Sequence, residues 1–295
     1  MRVLITAIAT VLTLSACAGE TGETTTASSA STSIPAPTTT TTTTTTIPDT
    51  TSTTAEELGE VPAYFFFAGY PTDPGPWVVP VARAGEGLEM ALTSLLKGVH
   101  VADAEMGLSS AIPENTRLLG VTVDDGVASI DLSREFESGG GSLSVLGRVA
   151  QVVYTATKFD EVEAVVFLIE GIRIDVLSGE GLILDEPQTR EGYRDLIPAI
   201  LVEEPLWGSA VGSQLTMSGL ARTESGTINY TIVDAEGLIV AEGGIPTTPH
   251  EWSEFQTVVE ISPTASSGLG SIVVFEMADD GSQRHVLEYP LEIGD

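Results

Sequence analysis

VAQVVYTATKFDEVEAVVFLIEG, residues 149–171, changes its hydrophobic period half-way along. Leading into it and through its first half, Leu143, Leu146, Val149 or Ala150, Val153 and Thr157 recur at three- and four-residue spacing. That spacing lines up one apolar face of a helix. Val162 and Ala164 to Ile169 then form a nearly continuous, β-branched run of strand length, ended by Glu170-Gly171. A strand so apolar needs cover on both faces or a central place in a sheet. The stretch therefore predicts a helix, a short turn and a buried strand, the core of a two-layer domain. Tyr154, Thr155, Thr157 and Lys158 are its polar side chains with chemistry to offer, and they do not make a catalyst.

Working outward, Ala63 to Phe67 reads as an opening strand, Pro71 to Pro76 as a turn cluster and Trp77 to Arg83 as a second strand. An amphipathic helix follows over Glu86–Lys97, with Leu88, Ala91, Leu92, Leu95 and Leu96 on one face and Gly98 as its stop. Thr116–Val123 and Val127–Leu132 alternate as two strands around a tight Asp124-Asp125-Gly126 turn. The second helix spans Ser142–Phe159, the next strand Val162–Ile169, and Ile172-Arg173-Ile174 is a short return. The order β-β-α-β-β-α-β-β predicts an α+β domain over residues 61–196, with two helices on one face of a mixed sheet.

Several of these segments together resemble the GerMN domain of sporulation and spore-germination proteins. They are Arg83 with its Leu-rich helix, Gly107-Leu108-Ser109-Ser110-Ala111-Ile112-Pro113, the Leu119–Asp131 hairpin, Phe136, Tyr154 to Phe159, and Phe167-Leu168-Ile169-Glu170-Gly171. The chain departs from the family in having Gly98-Val99 where Gly-Pro is frequent, and Ala156 where Leu is common. The resemblance implies an extracytoplasmic interaction module, not an enzyme. Within it, Asp124-Asp125 reads as a turn before a cation site. Tyr154 and Thr157, one helical turn apart, read as groove lining or as core packing, and Phe65 to Phe67 as a contact patch or as core.

Residues 197–295 carry turn signals at short intervals and about seven alternating stretches with no convincing helix, which predicts an all-β immunoglobulin-like sandwich. Pro198 to Glu203, Met217-Ser218-Gly219-Leu220-Ala221, Asn229-Tyr230, Trp252, Phe255 and Val274-Phe275-Glu276 resemble the Ig-like module that follows GerMN in spore-germination lipoproteins. Asp279-Asp280-Gly281-Ser282 lacks the further spaced carboxylates of an EF-hand and reads as a hairpin turn before a Ca²⁺ loop. Trp252 and Trp207 read as core or loop anchors, or as sugar-stacking platforms.

At the start of the chain, Arg2 and the apolar run Val3–Leu14 make a targeting segment too short to span a membrane comfortably. Its end, Leu14-Ser15-Ala16-Cys17, resembles the lipobox of bacterial lipoproteins, which implies acylation of Cys17 and cleavage before it. On that resemblance, residues 1–17 are expected to be a lipoprotein signal peptide with its lipobox. Cys17 is the one cysteine, so the sequence holds no disulfide and no thiol nucleophile for its folded part. Residues 18–60, with threonine throughout 38–46, lack the apolar surface to offset chain entropy and read as a disordered spacer or O-glycosylated stalk. A coil of that length reaches roughly 35 Å.

The net charge of −30 spreads over the whole chain: residues 60–196 hold 22 acids and 9 bases, residues 197–295 hold 15 and 2. Such a surface argues against nucleic acid as a partner. His100, His250 and His285 stand in no catalytic or metal-binding motif, so the sequence predicts no enzyme and no cofactor. The leading expectation is a lipid-anchored protein on the outer face of the cell membrane, held by acylated Cys17 and working by contact with an envelope protein. Its interaction surface would draw on Tyr154, Thr157 and Trp252. The alternative is a cell-wall glycan or peptidoglycan binding module.

Overall fold

A computed structural model describes residues 59–71, 73–177, 179 and 181–294. Cys17, the signal segment and the linker up to residue 58 lie outside the described residues. All the described residues belong to one compact unit, and one hydrophobic core runs through it.

The chain opens with a long antiparallel hairpin, β1 (Glu60–Tyr70) and β2 (Asp73–Ala84), followed by α1 (Gly87–Leu96), the short α2 (Val101–Glu105) and β3 (Leu108–Ser109), which pairs with the end of β1. His100 opens α2, its N–H donating to Asp103 Oδ2 at 3.0 Å, while Arg83 holds the same oxygen at 2.6 Å. Next come β4 (Leu118–Asp124), β5 (Val127–Leu132), α3 (Ser142–Ala156), β6 (Ala164–Ile169) and β7 (Ile172–Arg173). These strands form a second sheet in the order β4-β5-β6-β7, in which β5 and β6 run parallel. β4 and β5 join through Asp125 (φ 46°) and Gly126 (φ 77°), the two left-handed residues of a type I′ turn, and the expected hairpin is observed. A small hairpin, β8 (Val176–Leu177) with β9 (Leu182–Ile183), and a 3₁₀ segment, Arg190–Leu196, complete this part.

The expected α+β class is observed, with its sheet divided in two. The cause lies in α3, which is not one-sided. Val145 and then every residue from Gly147 to Ala156 is buried, including Arg148, Gln151 and Thr155, while Leu143 is exposed. A helix buried all round must be packed on several sides. Tyr64 and Phe66 of β1 point at it: the Tyr64 and Tyr154 rings lie 5.5 Å apart, and Phe66 covers Gly147. The buried polar residues have defined duties. β3 pairs with Phe66 and Phe67 of β1 and stops short of Tyr64, whose peptide groups face the same edge. Thr155 Oγ1 accepts the Tyr64 N–H at 3.0 Å, and Gln151 Nε2 donates to the Tyr64 carbonyl at 2.9 Å. The two side chains, one helical turn apart, stand in for a missing strand. Arg148 donates to the carbonyls of Phe136 (2.6 Å), Ser138 (2.9 Å) and Gly139 (2.8 Å), tying down the loop before the helix.

A Cβ built on Gly147 would meet Phe66 Cζ at 2.3 Å. Gly147→Ala would gain about 1 kcal/mol of helix propensity and lose more by overpacking, typically about 1–3 kcal/mol. The expected result is a lower Tm than the parent; a higher Tm would mean that helix and hairpin do not meet this closely.

The rest is a sandwich. β10 (Ile200–Glu204), β12 (Gln214–Ala221) and β15 (Ser253–Glu260) form one sheet. The other has the order β11-β17-β16-β13-β14, from β11 (Ala210–Val211), β13 (Thr227–Val233), β14 (Ile239–Pro246), β16 (Gly268–Met277) and β17 (Gln283–Ile293). Alternation places Leu215, Met217 and Ala221 of β12 and Leu287, Tyr289, Leu291 and Ile293 of β17 inside. The seven expected strands are present, and the two-residue β11 is an eighth that is too short for a period to reveal.

Candidate functional site

The sandwich and the α+β module meet through two sets of side chains. The first is aromatic. Trp207, in the β10–β11 connection, donates its backbone N–H to the Pro80 carbonyl (3.1 Å) and accepts from Ala82 N–H (3.0 Å), extending the free edge of β2. Its neighbour Gly208 donates to Pro290 of β17 at 2.9 Å. The indole sits 5.1 Å from the Phe67 ring and 5.9 Å from Tyr289, so a row of rings runs from one module into the other. Trp207 is 3% exposed, which settles it as an anchor and not a sugar platform.

The second set is polar. Arg190 Nη1 meets Glu203 Oε1 of β10 at 2.5 Å; its Nε donates to Thr157 Oγ1 (2.7 Å) and its Nη2 to the Tyr154 carbonyl (3.1 Å). The guanidinium also lies 4.9 Å from the Tyr154 ring centroid. The Tyr64 hydroxyl donates to the same Glu203 oxygen, and Lys158 pairs with Glu204 at 3.1 Å. Burial works to raise the Glu203 carboxyl, but Arg190, Lys158 and two hydrogen bonds outweigh it and hold it below its ordinary value. Burial pushes the Tyr154 hydroxyl up to about 12 and Tyr64 well above the usual phenol range, so both stay protonated donors. The structure thus brings Tyr154 and Thr157 together, in a lock between modules. Tyr154 is fully buried and presents no surface, and Phe65 to Phe67 are likewise core.

Trp252 takes no part in that lock. It stands half-buried beside a cleft of about 360 Å³, whose wall also includes Trp77, Arg194, Arg222, His250 and His285. The β1–β2 hairpin, the 3₁₀ segment and the near end of the sandwich each contribute to the wall. The β12–β15 register ends at Ala221 opposite Ser253, so Arg222 and Trp252 leave neighbouring strand ends. His250 (φ 64°) and His285 (φ 51°) both adopt left-handed backbone, which is uncommon outside glycine and clusters at functional positions. A bulge in β17, between the pairs Val274–Leu287 and Glu276–Arg284, redirects His285. Its Nδ1 lies 3.5 Å from Asp73 Oδ2 across the module boundary. Of this set, the sequence singled out Trp252 as an interaction residue. The left-handed histidines carry no sequence signal, and Trp77 comes from a strand some 175 residues away.

Among the described residues, no group of three or more His, Cys, Asp or Glu side chains is arranged to hold a metal. Asp280 Oδ1 accepts from Ser282 N–H (2.9 Å) and Oγ (2.6 Å), the bonding of an ordinary Asx turn.

The family model described as sporulation and spore germination, Germane, matches residues 62–175. A second, Gmad2, the immunoglobulin-like domain of bacterial spore germination, matches residues 199–282. The chain joins a Germane (GerMN) domain to a Gmad2 domain. The lock described above therefore lies between Germane and Gmad2, with Arg190 in the segment that neither model covers. Among solved structures, the first GerMN domain of the sporulation protein GerM from Bacillus subtilis is 20% identical, covering 45% of this chain and 98% of that one, with a TM-score of 0.37. The tandem GerMN domains of the same protein are 15% identical over 70% of this chain, with a TM-score of 0.38, and this chain spans 62% of their length. No curated protein matches the chain.

Proposed function

We propose that the chain is a membrane-anchored, extracytoplasmic lipoprotein that acts without catalysis, as a protein-interaction component of an envelope complex of the sporulation or germination type. The observation that carries this reading is the lock of Tyr64, Tyr154, Arg190 and Glu203. It makes Germane and Gmad2 a single body, so that a partner meets one composite surface and not two independent beads. The lipobox at Leu14–Cys17 supplies the anchor and the Thr-rich spacer its reach. No helix among the described residues is long and apolar enough to cross a membrane, so in this reading attachment falls to the acyl chains.

The test compares the native chain with Cys17→Ser in the host, by fractionation and by crosslinking with mass spectrometry. The native protein is expected in the membrane fraction with one reproducible protein partner, and the variant in the soluble or secreted fraction. Membrane retention of the variant would remove the lipid anchor, and crosslinking without any enriched protein would remove the scaffold role.

A further inference from the structure

Residues 197–295 contain two arginines, Arg222 and Arg284, and two histidines, His250 and His285, against fifteen acids. All four line the cleft beside Trp252 or the cavity adjoining it through His250. That both arginines of so acidic a module gather at one end, beside its two histidines, requires a reason.

Charge pairing narrows what the cleft offers. Arg284 is held by Glu224 at 2.9 Å, Arg194 lies 3.4 Å from Glu191, and Asp73 faces His285. Arg222 is exposed and makes no side-chain hydrogen bond or ion pair with any described residue. Arg194 keeps its Nε buried without a partner among the described residues. Beside these donors stand two indoles: Trp77 and Trp252 are half-buried, and neither packs against another aromatic ring among the described residues. The volume, about 360 Å³, is at the small end for a ligand pocket and far from the broad surface a protein partner covers.

We propose that this cleft binds a carboxylate-bearing sugar. Pyranose rings present apolar C–H faces that lie against indoles, and a planar guanidinium takes a carboxylate in a two-point fork. Arg222 receives the carboxylate, Trp252 and Trp77 receive the ring, and Asp195, which lines the same wall without a salt-bridge partner among the described residues, accepts from ring hydroxyls. The net negative charge of the chain does not forbid this, because at physiological salt the field of distant acids is screened within about 8 Å, and of the three carboxylates on the cleft wall Glu224 is held by Arg284 and Asp73 faces His285. The inference stands apart from the scaffold reading, since a protein partner and a sugar site can occupy the same body.

Two of the chain's three tryptophans line the cleft, so its fluorescence reports occupancy directly. The full chain would be titrated with N-acetylmuramic acid, with N-acetylglucosamine as its neutral counterpart and with alanylalanine as a carboxylate lacking the sugar. The expected result is saturable binding of N-acetylmuramic acid with a Kd on the order of 1 mM, and at least about tenfold weaker binding of the other two. Arg222→Gln should bring the acid down to the level of the neutral sugar, and Trp252→Phe should weaken both sugars. Arg222 is exposed, so its variant should keep the parent Tm, which would be recorded alongside. Equal affinity for acid and neutral sugar, preference for the dipeptide, an unaffected Arg222→Gln, or no saturation with any probe would each overturn the proposal. Sedimentation with purified peptidoglycan stripped of its stem peptides by an amidase, which frees the lactyl carboxylates of its glycan, then separates the two sources of this chemistry. Co-sedimentation competed by N-acetylmuramic acid assigns the site to wall glycan, and binding of the free sugar alone assigns it to a soluble acidic sugar.

Discussion

Trp207→Ala is expected to lower stability by about 3–5 kcal/mol, the range for emptying a buried tryptophan site, and to split a single thermal transition into two. The indole is 3% exposed and touches Phe67 on one side and Tyr289 on the other. Its loss opens a cavity where the two modules share their core, and neither can collapse into it without moving away from the other. The backbone bridges to Pro80 and Ala82 remain but would then hold the modules by a strand edge alone. Trp207→Phe supplies the contrast. The indole Nε1 is buried with no hydrogen-bond partner among the described residues, so phenylalanine removes an unmet donor while keeping a ring. Its loss should be less than half that of alanine, with one transition retained. Differential scanning calorimetry and limited proteolysis near residues 204–209 would read both variants. One unchanged transition for Trp207→Ala would show that the aromatic row does not couple the modules.

The elements of this chain were legible because their periods are strong. The predicted α1, β5 and β6 agree with the structure to within a few residues, and Asp125-Gly126 names its own turn. The all-round burial of α3 was not legible in the same way. Arg148, Gln151 and Thr155 look like a solvated face, because polar side chains at helical spacing normally are one. Here they are spent on peptide groups of the hairpin and of the preceding loop, and this need becomes visible only when β3 is seen to stop short of Tyr64. Two signs were present: Gly147, costly in a helix unless something packs against it, and the lack of any Asp or Glu over Ser142–Ala156.

The functional surfaces were less legible, because both are assembled across the chain. Tyr64 and Arg190 are 126 residues apart, and nothing near either one announces the other. Arg190 and Glu203, only 13 apart, read locally as ordinary charges on either side of a module boundary. Trp252 drew notice, together with Trp207, as a tryptophan on a β module. Its meaning as a cleft wall depends on Trp77, Arg194 and two left-handed histidines delivered by separate parts of the chain. A sequence read by period sees faces of single elements; a site built where modules meet has no period.

Glu203→Gln is expected to destabilise the protein by about 3 kcal/mol at pH 7, the low end for breaking a buried pair, because side-chain exposures of 24% for Arg190 and 14% for Glu203 leave some solvent contact. Glutamine still offers an oxygen to the Tyr64 hydroxyl, so the loss isolates the charge that Arg190 requires. For a body of this size the shift should be roughly 10 °C in Tm. The effect should also depend on pH in a defined direction. Glu203 is held below its ordinary value near 4.5 in the folded state, so below that value the unfolded chain binds the proton more readily. The stabilisation is fully present above the ordinary carboxylate range and is lost as pH falls through the depressed folded value. The Tm gap between parent and Glu203→Gln should therefore be widest near neutrality and close progressively below about pH 4.5. Other carboxylates titrate in the same window, and taking the gap between two chains cancels them. The pair Arg190→Met with Glu203→Gln completes the cycle: removing both charges should cost less than removing either one, because no ion is left stranded between the modules. A gap that does not narrow as pH falls below about 4.5, or a double variant as unstable as the two single losses added together, would mean that Glu203 acts through shape and hydrogen bonding and not through its charge.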